Sequence, residues 1–573
     1  MTAKLRREVS PENPLILHTC HSNWIRGIDM RPSELLEMLP EDIRTCSAMS
    51  HVPDWWDPEK LPVIKEYLDE CERIGLQQVL QTTVFKDARA NNFMPQDILK
   101  QLFDEYTCLI GVLIVEQGIA QFDQPDRQNI IDTIHTMAEI GGTLFWAEMI
   151  YHRHHPFMVA GEDEGLYRAI SENSDHVVFI DKANGRTQYF LSQSAAMGWW
   201  LTGNAAAWGI NAEDFWWFET AYKDIWSLPA KPRSYSQWQS TASFPANLYA
   251  QVIERSMASG ASVYKVEYPL SLMYKHSKEE KWYLTSQWEH AVYPMLQKVA
   301  NGWVASEDQV RSKIKACYHA TDMNAPEIAP PETRLFKGLY GAEHTPAEHW
   351  HTYGTSLDLL PHEGRYFFIP VTPKLAPPPT DLGDVINPEN YPVLFPDVQS
   401  KQAWFNERYV QEQSGSSWSV RVDKKWYIFN HHENANLDTD FDISLQTNTC
   451  SALYGEIGAH TSLLVEEAPD SLDILLNNYR VDIKELWNGD FPCADFEQYC
   501  DYMDKHVKAP AHDKPRQTVL VVKGVPPNAS LKADLSGMYT EHRFDRDTER
   551  ADYRLEIMHN GPVQLRIGMS AEQ

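Results

Sequence analysis

Leu109-Ile-Gly-Val-Leu-Ile-Val115 is a run of seven apolar residues that ends abruptly in the polar pair Glu116-Gln117. A run of that length, apolar without alternation and rich in β-branched residues, predicts a strand buried on both faces, as in a parallel sheet. Similar runs lie on either side of it: 15–20, 43–49 and 78–83 before it, then 143–147, 176–180, 204–210 and 261–266. Amphipathic helical segments separate them. Pro32–Leu39 is one, Leu61–Ile74 ended by Gly75 is another, and Asp126–Ile140 before Gly141-Gly142 is a third. Eight strands alternating with helices predict a (β/α)₈ TIM barrel. An open doubly wound sheet permits the same alternation. No GxGxxG or Walker sequence follows any run, which removes the nucleotide-binding reasons for that alternative.

The character changes near residue 320. Ala325-Pro-Glu-Ile-Ala-Pro-Pro331 reads as a linker, and Ala376-Pro-Pro-Pro379 breaks the next stretch. Beyond residue 415 alternating segments such as Trp418–Val422, Lys425–Phe429 and Thr518–Val522 read as half-buried strands. Two further strands around His559-Asn560-Gly561 suggest a closing hairpin. The expected architecture is α/β plus all-β: a barrel over residues 1–324 followed by a β-sandwich over 325–573.

Composition narrows the partners. With 51 Lys and Arg against 80 Asp and Glu, the formal charge is −29, and no basic run offers a groove for nucleic acid. No apolar stretch reaches the length of a membrane span. The 19 Trp and 26 Tyr include the pairs Trp55-Trp56, Trp199-Trp200 and Trp216-Trp217. Indoles stack on the apolar faces of sugar rings and also fill large cores, so they lean toward an oligosaccharide or polysaccharide partner without deciding it. The first residues lack the apolar core of a secretory leader, so the chain is either cytoplasmic or a secreted protein without its leader. Eight cysteines without CxxC spacing read as buried thiols at Cys20, Cys46 and Cys108, with Cys493 and Cys500 able to pair in an oxidising compartment. Tyr151-His-Arg-His-His155 lacks the spacing of a zinc site. Asp438-Thr-Asp-Phe-Asp442 reads as a solvated acidic loop rather than a calcium site. No cofactor or metal is expected.

Barrel enzymes carry their reacting groups at the C-terminal strand ends. Carboxylates cluster there: Glu116, Glu148, Asp181, Asp214 and Glu267. Several acids on one rim, among tryptophans, suit glycoside hydrolysis, which needs a protonated acid for the leaving oxygen and a second carboxylate as base or nucleophile. Burial at the end of an apolar strand would keep Glu116 protonated near neutrality.

Short segments in order along the chain carry a family resemblance. Arg6–His18 resembles the opening of the catalytic domain of glycoside hydrolase family 98, and Leu109–Gln117 its strand bearing the general acid. Leu475-Leu-Asn-Asn-Tyr-Arg-Val-Asp482 and Gly561–Ile567 are similar to segments of that family's second domain. The resemblance implies a barrel plus sandwich and an inverting, endo-acting mechanism without a cofactor. It makes Glu116 the general acid, Asp214 the general base and Glu267 a second group activating the water. Glu213 and Glu219 lie close enough to compete with Asp214. It implies hydrolysis of a β-1,4 bond, by an endo-β-1,4-galactosidase on blood-group-like glycans or an endo-β-1,4-xylanase, in an extracellular or cell-surface setting. A binding protein on the same scaffold is the non-catalytic alternative. Expected sugar contacts, all near strand ends, are His18, Asn23, Trp24, His51, Trp55, Trp146, Glu148, Tyr151, Trp208 and Tyr268.

Overall fold

A computed structural model describes residues 3–22, 28–52, 56–83, 93–115, 124–148, 155–183, 191–212, 246–267, 272–276, 278–322, 335–336, 339, 364–410, 415–430, 438–481, 501, 514–535 and 538–569. Eight parallel strands form the barrel of its first sheet, which the two-residue strand Ile28–Asp29 joins antiparallel to the first of them: β1 (Leu15–Ser22), β2 (Ser47–Val52), β3 (Gln77–Thr83), β4 (Leu109–Val115), β5 (Thr143–Glu148), β6 (Val177–Ala183), β7 (Ala207–Ala212) and β8 (Val263–Glu267). Each pairs with the next, and β8 returns to β1 in the register Leu15↔Val263 to Thr19↔Glu267, so the barrel is closed. All seven residues of β4 are buried, as the unbroken apolar run requires. Gly111 within it has no room for a side chain: a Cβ would sit 2.3 Å from the Thr143 carbonyl oxygen of β5.

The strands sort their side chains by parity. Leu15, Leu17, Ala48, Val79, Leu113, Phe145, Val178, Ile180, Ala207 and Val263 form one core inside the barrel. Ile16, Met49, Leu80, Ile114, Trp146, Phe179, Trp208 and Tyr264 belong to a second core, shared with the helices outside. Four helices matter for the site: α1 (Leu61–Ile74), α2 (Pro156–Glu162), α3 (Leu191–Leu201) and α4 (Ala246–Ala258). As expected, α1 stops at Gly75, whose left-handed φ of 74° suits glycine. Every residue of α3 is buried, which calls for a cover on its outer side. Part of that cover is the extended segment around Val371. Its N–H bonds Ser194 O at 2.9 Å, and a Cβ on Gly198 would meet Val371 O at 1.9 Å.

The outer core runs without interruption from the barrel through Phe395 and Phe405 to Phe429. A helix, Glu307–Lys313, and a strand, Ala316–Tyr318, follow the barrel directly. Beyond them two antiparallel sheets enclose a separate core drawn from both. With β9 (Trp418–Val422), β10 (Lys425–Phe429), β11 (Thr439–Ser444), β12 (Ala452–Ile457), β13 (Ser462–Ala468), β14 (Ser471–Asn477), β15 (Arg516–Lys523), β16 (Ala529–Asp534), β17 (Met538–Asp547), β18 (Asp552–Asn560) and β19 (Pro562–Met569), the sheets run β9-β10-β13-β14-β19-β16 and β11-β12-β15-β18-β17. This is the sandwich expected after the barrel.

Two local readings are corrected. The segment 438–442 is no loop: Thr439–Ser444 is a strand, with Phe441 and Ile443 buried while Asp440 and Asp442 alternate to solvent. Nor do β18 and β19 form a hairpin, because they lie in opposite sheets. The chain turns the corner at Gly561, whose φ is 148°. The Asn478 and Asn560 side chains take up the backbone groups there. Asn478 Nδ2 donates to His559 O at 2.9 Å and its Oδ1 accepts from Gly561 N at 3.0 Å, while Asn560 Oδ1 accepts from Arg480 N at 2.7 Å. The Asn-Asn-Tyr-Arg motif is therefore a structural tie. Its first member also reaches the barrel side, with Asn477 Nδ2 bonding His290 O at 2.6 Å.

Cys46, Cys71, Cys108, Cys317 and Cys450 are buried and unpaired thiols. The Cys20 side chain, Cys493 and Cys500 lie outside the described residues. No helix among the described residues is long and apolar enough to cross a membrane.

Candidate active site

The inward parity changes from apolar to polar toward the C-terminal mouth of the barrel. Following the parity of the inner core residues toward the strand ends, Thr19, Ser50, Gln81, Lys182, Asn211 and Lys265 face the lumen, with Glu267 one more step up β8. The best-defined contacts among them centre on Glu267. Lys265 Nζ lies 2.5 Å from Glu267 Oε1, and Asn211 Nδ2 donates to the same oxygen at 3.3 Å. Lys265 Nζ also donates to Asn211 Oδ1 at 3.4 Å, closing a three-membered net across β7 and β8. The lysine side chain is 1% exposed and the glutamate 15%. The ammonium is thus sealed in the floor while the carboxylate still opens to the mouth. From outside the wall, Tyr249 of α4 holds the Glu267 backbone: its hydroxyl accepts from Glu267 N at 2.9 Å and donates to Glu267 O at 3.1 Å. A carboxylate fixed in this way can accept a proton or orient a water at the barrel mouth.

The other strand-end residues separate by face. His18 and His51 point outward. His18 Nε2 meets Ser47 Oγ at 2.9 Å, and His51 stacks on Tyr67 of α1 at a centroid distance of 4.3 Å. Burial pushes the His18 imidazole down to about 3, so it is neutral. Trp146 and Trp208 are corrected as sugar contacts. Both are 0% exposed in the outer core. The Trp146 indole N–H donates to Glu148 Oε1 at 2.8 Å, and that of Trp208 to Ser259 O at 3.2 Å. Neither ring has a face left for a sugar. Glu148, as the buried acceptor of Trp146, belongs to the same wall. Asp181 also faces the helices. Burial raises it to about 6, opposed by the positive charge of Arg255 and a hydrogen bond from Ser192. His155 is fully buried. It caps α2 by accepting from Phe157 N at 3.1 Å and meets Ser192 Oγ at 2.8 Å.

Glu116, Asp214, Asn23, Trp24, Trp55, Tyr151 and Tyr268 lie outside the described residues, as do Glu213 and Glu219. Sequence reading missed Lys265, Asn211 and Tyr249. A signal for the first two was present: Val263 and Lys265, like Ala207 and Asn211, keep one parity, and a charged residue on the lumen parity of a barrel strand has no helix to pack against. Nothing in the local sequence marks Tyr249, whose role is tertiary.

Comparison with known proteins agrees across the whole chain. The family model described as glycosyl hydrolase family 98 matches residues 3–304, and that of the glycosyl hydrolase family 98 C-terminal domain matches residues 307–570. The blood-group-substance endo-1,4-β-galactosidase of Clostridium perfringens is 20% identical over 620 residues, covering 99% of this chain and 72% of the relative. The crystal structure of the catalytic module of a family 98 glycoside hydrolase from Streptococcus pneumoniae TIGR4, in complex with the LewisY pentasaccharide, superposes with a TM-score of 0.79 at 20% identity. The same module with the H-disaccharide blood group antigen gives 0.80; each covers 98% of this chain and 100% of the module.

Proposed function

The chain belongs to glycoside hydrolase family 98, and from that premise we propose that it is an inverting endo-β-1,4-galactosidase acting on blood-group-like glycans outside the cell. The observation that carries the site assignment is the placement of Glu267, inward-facing at the C-terminal end of β8 and pinned by Lys265, Asn211 and Tyr249. The name of the clostridial relative supports the choice of galactoside and linkage.

In the proposed reaction Glu116 gives its proton to the glycosidic oxygen as the bond from that oxygen to the anomeric carbon breaks. A water attacks the carbon from the opposite face and passes a proton to Asp214, while Glu267 orients that water. One displacement inverts the anomeric configuration, and the acid and base must stand roughly 6.5–9.5 Å apart to admit the water. Ionised carboxylates on the base side and a protonated Glu116 divide the labour, as two-carboxylate hydrolysis requires.

The test is a panel of blood-group A, B and H oligosaccharides, xylan and algal galactan, with products resolved by size and the first-formed anomer followed by NMR. Internal cleavage of a galactoside with inversion is expected, and Glu116→Gln should lose hydrolysis while still binding the oligosaccharide. Cleavage of xylan alone, retention of configuration, or full activity in Glu116→Gln would each overturn a named part of the proposal.

A further inference from the structure

We infer that Lys265 is a positioning residue for hydrolysis: it holds Glu267 ionised and fixes that carboxylate at the barrel mouth, with Asn211 as the neutral second clamp. The inference rests on the proposed role of Glu267 and concerns what makes that carboxylate competent.

The physical argument begins with cost. Burying an ammonium and a carboxylate removes two charges from water, and well-packed apolar residues of similar volume often serve stability as well or better. Here the lysine is sealed at 1% exposure on the lumen parity of β8, where its neighbour two residues below, Val263, belongs to the inner apolar core. Packing alone would favour another apolar residue at 265. The cation instead sits 2.5 Å from one oxygen of the only carboxylate that the described part of β8 presents to the lumen. Asn211 reaches both members, so the pair has little rotational freedom: its Nδ2 is 3.3 Å from Glu267 Oε1 and its Oδ1 accepts from Lys265 Nζ at 3.4 Å. Oε1 is thereby held from two directions, which fixes the orientation of the carboxylate.

Among the described residues, the neighbours of the carboxylate across the strands and from the helix behind them are these. Lys182 of β6, paired in register with Asn211, adds a second cation on the lumen face. Tyr249 of α4 bonds the Glu267 backbone. On β1, opposite Glu267 in register, stands neutral Thr19. Lys265, in direct contact, favours the ionised carboxylate. A water-activating carboxylate must be ionised to act, and a nearby cation lowers the pH at which it becomes so. Without Lys265 the same half-buried carboxylate keeps its desolvation and loses its nearest counter-charge. Its protonation then moves to higher pH, and the acid side of the rate profile moves with it.

The experiment compares wild type with Lys265→Met, Lys265→Arg and Glu267→Gln, measuring kcat and KM from pH 4 to 9 on the blood-group oligosaccharide cleaved in the panel. Folding is checked by near-UV circular dichroism. Lys265→Met is expected to lose about a hundredfold in kcat at pH 6 with KM within threefold, and its acid limb should move up by about one pH unit or more. Lys265→Arg, which keeps the charge, should recover at least tenfold of that loss and restore the limb. An unmoved acid limb in Lys265→Met, or equal losses in Met and Arg, overturns the inference and leaves a packing role. Full activity in Glu267→Gln instead overturns the role of Glu267 itself, so the two failures are distinguishable. Should Lys265→Met not fold, Asn211→Ser is read the same way. A lower kcat at unchanged KM supports the clamp, and wild-type kinetics overturns it.

Discussion

The two faces of the barrel wall carry similar residue types at similar heights and do different work. On the lumen face Lys265, Asn211 and Glu267 form a polar net that opens to the mouth. On the helix face His18, His51, Trp146, Glu148, Asp181 and Trp208 are all buried, each packed against or hydrogen-bonded to the surrounding structure. A strand-end position is therefore necessary for a site residue and not sufficient. One step along a strand turns a side chain from substrate to scaffold, because successive residues point to opposite faces. The lumen is closed to helices, so a charge there must answer to another lumen group or to a ligand. A charge on the outer face is answered by the helices, as Asp181 is by Arg255 and Ser192.

The sharpest way to break this division is to substitute one residue of each kind. Glu267→Gln preserves shape and should lower kcat by roughly 10²–10⁴-fold, the range of positioned acid–base groups, with the unfolding midpoint close to that of wild type. Trp208→Ala should do the reverse. Emptying a fully buried indole site costs about 3–5 kcal/mol, while KM of the fraction that stays folded is unchanged. Denaturant melts alongside steady-state kinetics decide both. If Trp208→Ala weakened oligosaccharide binding at full stability, the outer wall would be open to sugar and the division would fail.

The fold was legible in the sequence because its signals are local. The run Leu109–Val115 coincides with β4, and Gly75 ends α1 in the left-handed conformation its lack of a side chain allows. The sugar contacts were less legible, since closeness to a strand end does not by itself fix the face a side chain takes. Trp146 and Trp208 share the outward parity of Phe179 and Tyr264, whereas Lys265 keeps the inward parity of Val263. The misread corner at Gly561 has a different cause. Its flanking strands carry ordinary alternation, and the asparagines that send the chain into the opposite sheet are Asn560 beside it and Asn478, some eighty residues earlier. That pairing is tertiary and leaves no local trace.

Titration separates the faces next. Asp181 sits near 6 instead of its ordinary 3.8, because burial disfavours its charge more than Arg255 restores it. Its folded value lies above the unfolded one, so its contribution to stability is full below about 3.8 and is lost as the pH rises through about 6. Asp181→Asn removes that loss. Relative to wild type the variant should gain on the order of 1–3 kcal/mol between pH 4 and pH 7, read from urea melts at both values. The buried imidazoles of His18 and His155, both pushed down to about 3, act with the opposite sign. Their stability is present above about 6.5 and drains as the pH falls toward 3, so His18→Asn should flatten the acid loss. A difference between wild type and Asp181→Asn that is independent of pH would mean that Asp181 is ionised at no cost, and the outer wall would be less sealed than its packing indicates.

The smallest expected effect lies where the two faces meet. Tyr249 is on α4 outside the wall, yet its hydroxyl makes two bonds to the backbone of Glu267, as acceptor from N and donor to O. The same helix is seated on the second domain, where Asn247 Nδ2 reaches His460 O and Gln251 Nε2 reaches Asn430 O, each at 3.5 Å. Tyr249→Phe keeps the ring in the outer core and removes only the hydroxyl, so it leaves a backbone N–H and a carbonyl of Glu267 to seek other partners. A cost of about 1–3 kcal/mol for such groups is ordinary. If part of it appears as a looser carboxylate, kcat should fall about tenfold, equivalent to about 1.4 kcal/mol, with KM unchanged and the acid limb in place because Lys265 still supplies the charge. An acid limb that moved with Tyr249→Phe would show that aim and ionisation at Glu267 are not separately held, and that the outer helix governs the charge as well as the geometry of the lumen.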